Sequence, residues 1–136
     1  MPRYPAHGKY QFSWLGDVLY LEFFGAWNIE AFAAFKRDLK RFVEKSSPPR
    51  WGRIADLRQW EGATPEATLA YAEFTVWYKT AGAVAHAQIY PSTLMQNVAD
   101  KINRSIAQIG PVRQCASLEE ALTWMKEFEL ETEEKK

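Results

Sequence analysis

His86 and Cys115 are the side chains in this chain best suited to act as a base or a nucleophile near neutral pH. Neither has a companion. Nucleophilic catalysis needs a nucleophile, a base and a group that orients the base. No hydroxyl or thiol can be paired with His86 by spacing, so a structural or interface histidine is expected there. The only other histidine, His7, lies in a terminal stretch. Cys115 is the single cysteine, which excludes an internal disulfide and a cysteine-based zinc site. It sits in a short strand-like run and reads as a small buried hydrophobe. The two histidines are not at metal-ligand spacing. The sequence therefore predicts no enzyme, no metal and no cofactor.

A second group of residues could bind without catalysing. Trp27, Arg58, Trp60 and Thr64, with Tyr90, Ser92 and Ser117, fall at the ends of successive strand-like runs. In parallel α/β sheets those ends share one edge, where ligands bind. Helix N-termini at that edge expose free N–H groups and suit an anion. Arg58 could make a bidentate contact to carboxylate or phosphate. This predicts a small amphipathic or anionic ligand, lipid-like or phosphate-bearing. Capping alone accounts for Thr64, Ser92 and Ser117, and no glycine-rich phosphate loop is present.

These residues need a scaffold, and the pattern supplies one. Tyr10, Phe12 and Trp14 alternate with polar residues, Gly16-Asp17 makes a turn, and Val18–Phe24 resumes the β pattern, giving a hairpin over 9–24. A helix follows over about 29–44, capped by Asn28 and ended by Pro48-Pro49. A strand over 51–58 leads to a helix over 65–79, with Thr64 as cap, Pro65 at the first helical position and Gly82 beyond its end. A strand over 83–90, a helix opening at Pro91-Ser92 and carrying Leu94, Val98, Ile102, Ile106 and Ile109, a strand over 112–116 and a helix opened by Ser117 complete the order. Short right-handed crossovers make the strands after the hairpin parallel. The expected fold is one α/β domain with a mixed, mostly parallel five-stranded sheet and helices mainly on one face. With sequential addition every helix falls on that face, leaving the His86 and Gln88 side of the sheet open.

The helix over 65–79 carries two apolar stripes at about 100° per residue. Leu69, Ala72 and Val76 form one, and Tyr71, Phe74, Trp77 and Tyr78 form the other. The first is expected on the sheet. The aromatic stripe is then left for a protein partner or self-association, such as a homodimer. Composition agrees with a small globular module: 136 residues, 47% hydrophobic, 15% aromatic and 25% charged. The 17 basic and 17 acidic residues balance, which argues against a nucleic-acid partner. Lys36, Arg37, Lys40 and Arg41 read as the solvated face of their helix, and 131–136 as a frayed terminus. No run reaches the roughly 18 apolar residues of a membrane span, and MPRYPAHGKY lacks an apolar signal-peptide core, so a cytoplasmic location is expected.

Over about residues 9–128 this order resembles the STAS family and its SpoIIAA-like relatives. The residues that carry the likeness are Gly25-Ala26-Trp27-Asn28 after the hairpin, the strand ending Ile54-Ala55-Asp56-Leu57-Arg58, and Ser117-Leu118-Glu119-Glu120-Ala121-Leu122. The resemblance implies a non-enzymatic regulatory or interaction module whose partner contacts the helix after the Asp-bearing strand. Well-known members bind an anti-sigma kinase and are switched by phosphorylation in an Asp-Ser-Ser-Gly-like motif. Here Arg58-Gln59-Trp60-Glu61-Gly62-Ala63-Thr64-Pro65 replaces that motif, and Thr64 is the only hydroxyl near the position. The chain is thus more similar to standalone SpoIIAA-like proteins lacking the phosphoswitch. Some relatives of this fold hold apolar ligands, which carries over as analogy only.

Overall fold

A computed structural model describes residues 8–91 and 100–133. Strand β1 (Lys9–Leu15) turns at Gly16 into β2 (Val18–Trp27), and α1 (Ile29–Ser46) leads to β3 (Trp51–Ala63). Then come α2 (Pro65–Phe74), α3 (Val76–Ala81), β4 (Ala83–Ile89), α4 (Asp100–Ala107), β5 (Val112–Cys115) and α5 (Leu118–Met125), closed by a 3-10 turn over Lys126–Phe128. The sheet order is β1-β2-β3-β4-β5; β1 and β2 are antiparallel and the remaining neighbours parallel. The predicted α/β order and sheet are therefore present. Ser92, Leu94 and Val98 lie outside the described residues.

The local signals act as expected. The Asn28 side chain accepts from the Ala31 N–H at 2.9 Å and the Thr64 hydroxyl from the Ala67 N–H at 3.2 Å. Gly82, at φ 119°, returns its N–H to the carbonyls of Tyr78 and Lys79, a left-handed turn that L side chains resist. Between α2 and α3 the helix breaks at Thr75. The buried hydroxyl of Thr75 donates to the Ala72 carbonyl at 2.8 Å, a back-bond that bends helices.

Helices lie mainly on one face, as expected, but α5 covers the other, which corrects the expectation that every helix shares one face. The crossovers through α1, through α2 and α3, and through α4 each join neighbouring parallel strands in sequential order, so handedness puts them together. Helix α5 follows the edge strand and leads to no further strand, so no crossover constrains it. It packs Ala121 and Met125 on the opposite face against Val18, Ile54, Ala85, Ala87 and Ile89. The face carrying Arg53, His86 and Gln88 is consequently the one buried beneath α1 to α4.

The carboxyl-terminal segment is also held. Leu130 is buried, and the Asp17 N–H donates to the Glu131 carbonyl at 2.8 Å. The Glu131 N–H returns a bond to the Asp17 carboxylate at 3.1 Å. A side chain at Gly16 would stand 2.5 Å from the Glu131 carbonyl, so the hairpin turn needs glycine there. Glu131 is therefore held in place, which corrects the expectation of a frayed segment beginning there.

Candidate functional site

The aromatic stripe faces inward. Tyr71, Phe74 and Tyr78 are buried in the main core, and the Tyr71 and Tyr78 hydroxyls meet at 2.6 Å. Phe32 and Phe35 of α1 pack edge-on against Phe74, at 5.8 and 6.5 Å between ring centres. The Lys36 and Lys40 ammonium groups lie over the rings of Phe74 and Trp77, 5.8 and 6.0 Å from their centres, and Trp77 is half-buried. The residues outside are Leu69 and Val76, 48% and 60% exposed, while Ala72 is buried. The expected partner face is thus core, because three large rings bury far more apolar area than Leu, Ala and Val. Two scattered exposed side chains fall short of an interaction patch.

Of the residues expected at the loop edge, the structure brings Trp27, Trp60 and Tyr90 to one pocket. Strands β2 and β3 run on as a paired arm beyond the rest of the sheet, with Gly25 beside Trp60 and Trp27 beside Ala63. A bulge gives β3 one extra residue between the pairs Glu22–Asp56 and Phe24–Gln59. That resets the alternation, so Leu57 and Trp60 both turn toward the helices while Arg58 and Gln59 turn out. Between the arm, α1, α2 and α4 lies an apolar pocket walled by Phe23, Trp27, Phe32, Trp60, Tyr71 and Ile102. Its enclosed space is about 50 Å³, within a depression of about 510 Å³ that opens to solvent. Trp27 spends its indole N–H on the Phe24 carbonyl at 3.1 Å, so it offers a ligand ring surface alone.

Arg58 and Thr64 do not line this pocket. Thr64 is exposed and caps α2. Arg58 is committed to Asp56, through Nε to Oδ1 at 3.0 Å and Nη2 to Oδ2 at 2.7 Å. Asp56 also accepts from the Arg58 backbone N–H at 3.1 Å and from the Tyr20 hydroxyl at 2.5 Å. Burial pushes its carboxyl up, but the bonds from Arg58 and Tyr20 outweigh this and hold it below the usual carboxylate range. The sign follows from proton binding. The unfolded state binds the proton more readily, so the stability Asp56 lends is complete above the ordinary carboxylate pKa of about 3.9. It is lost as pH falls through the lower folded value. Urea midpoints are expected to drop below about pH 4, and the drop should be shallower in Asp56→Asn. Equal acid slopes in both proteins would refute this.

The pocket floor holds Arg53, which the sequence reading leaves out, and Gln88, which it places on an open face. Arg53 and Gln88 line it, with His86 beside Arg53 on the neighbouring strand. Arg53 is 0% exposed. Its Nε donates to His86 Nδ1 at 3.0 Å, and its guanidinium lies 4.7 Å from the centre of the Tyr78 ring. Burial and the adjacent Arg53 push the His86 imidazole down to about 2. It stays neutral at physiological pH and is too weakly basic to serve as a general base. The Tyr90 hydroxyl donates to Gln88 Oε1, and Asn103 Oδ1 stands 2.7 Å from the same hydroxyl. The missed signal was a lone arginine among apolar residues in a central strand, a position arginine rarely occupies fully buried without a partner.

Cys115 is buried, and burial pushes its thiol up, away from the reactive thiolate. Among the described residues, no group of three or more His, Cys, Asp or Glu side chains could hold a metal ion. No helix there is long and apolar enough to cross a membrane.

No family model matches the chain, and no curated protein matches it. Among solved structures it is similar to an uncharacterized DUF3478-family protein with a SpoIIAA-like fold from Shewanella loihica. The TM-score is 0.64 at 15% identity, over 91% of this chain and 98% of that one. At that identity the likeness concerns architecture alone: the chain has the SpoIIAA-like α/β fold.

Proposed function

We propose that this protein binds a small amphipathic molecule in the pocket between the β2–β3 arm and helices α1, α2 and α4. The supporting observation is the pocket itself: a concave apolar site beside the carboxyl ends of parallel strands, walled by Trp27, Trp60 and Tyr71 with a few polar groups at its floor. Small-molecule sites have this make-up. The enclosed space suits a compact molecule, with the rest of its body lying in the open depression. No base, nucleophile or metal set accompanies it among the described residues, so binding is the whole activity proposed. The regulatory role implied by the family resemblance would then be exercised through ligand occupancy.

The test is a titration with hexanol, benzyl alcohol, hexanoate and phenylacetate, followed by heteronuclear NMR. Shifts should concentrate on Trp27, Trp60, Ala67 and Ile102 for at least one compound. At a hundredfold excess over Kd, binding adds about 2.7 kcal/mol, a rise in Tm of several degrees. Shifts scattered over the surface, or none with any of the four, would remove the reading.

A further inference from the structure

We infer that Arg53 and Gln88 receive the carboxylate of a small acid whose apolar body lies against Trp27 and Trp60. This rests on the ligand reading above and specifies the head group. Its basis is the set of buried polar atoms left without a partner among the described residues: Arg53 Nη2, His86 Nε2 and Gln88 Nε2. His86 Nδ1 accepts from Arg53, so the neutral ring carries its proton on Nε2. Gln88 Oε1 is taken by Tyr90, which leaves the amide NH2. All three orphaned atoms are therefore donors, and no side-chain acceptor is orphaned with them. Unmet donors grouped with a fixed positive charge suit an anion and repel a cation.

The charge on Arg53 is not otherwise answered. An arginine keeps its proton when buried. Among the described residues no carboxylate pairs with it. The neighbouring Asp56 is held by Arg58 and Tyr20 instead. Tyr78 offers its ring face and its hydroxyl, and His86 a neutral nitrogen, and none of these is an anion. Arg53 and Gln88 both line the apolar pocket. One cation and one amide donor in a small space match a planar monoanion, with one oxygen on each donor. In the empty protein Nη2 is sealed from solvent. An entering acid must part the surrounding rings, and the bonds it makes to both donors offset that cost.

The test is calorimetric titration with phenylacetate and hexanoate against their uncharged isosteres, phenylacetamide and hexanamide. Each acid is expected to bind the native protein about tenfold or more tightly than its amide, as charge-assisted hydrogen bonds exceed neutral ones. Gln88→Glu places a carboxylate in the pocket beside Arg53. It should lower acid affinity to that of the amide while amide affinity holds. Arg53→Met should do the same, with circular dichroism checking the fold; Gln88→Glu carries the test if that variant does not fold. Equal affinities for acid and amide in the native protein, or a preference for the acid that persists in Gln88→Glu, would overturn the head-group assignment alone. Failure of all four compounds to bind would overturn the pocket and the head group together.

Discussion

Truncating Phe35 to alanine is expected to lower stability by about 3–5 kcal/mol, a large part of the roughly 5–15 kcal/mol that holds a domain of this size. Phe35 is fully buried in the middle of α1. Its ring meets those of Tyr10, Phe12, Phe23, Trp27, Tyr71 and Phe74, so it ties the hairpin, the β2 arm and α2 together. Aromatic rings are rigid and cannot flow into the space left behind, so most of the cavity remains. Leu69→Ala, on the exposed side of α2, is the control and should cost within about 0.5 kcal/mol. Urea unfolding of both variants, at unchanged m-value, makes the comparison. If Leu69→Ala cost more than Phe35→Ala, the assignment of inner and outer faces would be wrong.

Arg53→Met should move stability the other way. Desolvating an ion costs several kcal/mol, and among the described residues no opposite charge answers it. Methionine fills similar volume without charge. The change also takes a donor from His86 Nδ1, a loss of about 1–3 kcal/mol. The net expectation in the absence of ligand is a gain of about 2 kcal/mol. Stability gained at the expense of binding is the usual mark of a residue kept for function. Thermal and urea unfolding of the ligand-free protein would decide. A loss of about 3 kcal/mol or more would show that Arg53 serves the fold instead, as removal of one partner from a buried ion pair does.

The scaffold was readable because its signals are local. The Gly16-Asp17 turn, the caps Asn28, Thr64 and Ser117, and Gly82 each act within a few residues, and each does what its chemistry dictates. Which side of an element faces inward is not local. The wheel of residues 65–79 shows two apolar stripes, and relative area picks the aromatic one. Along β4, the alternation of Ala85, Ala87 and Ile89 with His86 and Gln88 suggested that the polar side was open. The placement of α5, free of any crossover rule, reversed that and buried the polar side under four helices. Trp27 and Trp60 share a pocket because both lie where parallel strands end, and their place at strand ends is readable in the sequence. Arg58 lies on the strand face of Ile54 and Asp56, turned away from the pocket, and its guanidinium is spent on Asp56; a shared strand end does not tell on which face a residue falls. Arg53 was overlooked because it broke the pattern of its strand, and such breaks gather at functional sites.

The bond between Asp17 and Glu131 joins residues 114 apart in sequence. A ribosome adding about 5–20 residues per second leaves the first hairpin waiting roughly 6–23 s for the segment that seals its turn. Throughout that interval Val18 and Gly52 lack the cover that Met125 and Leu130 later provide. Nascent chains stalled before Leu130 should therefore be targets for chaperones and proteases.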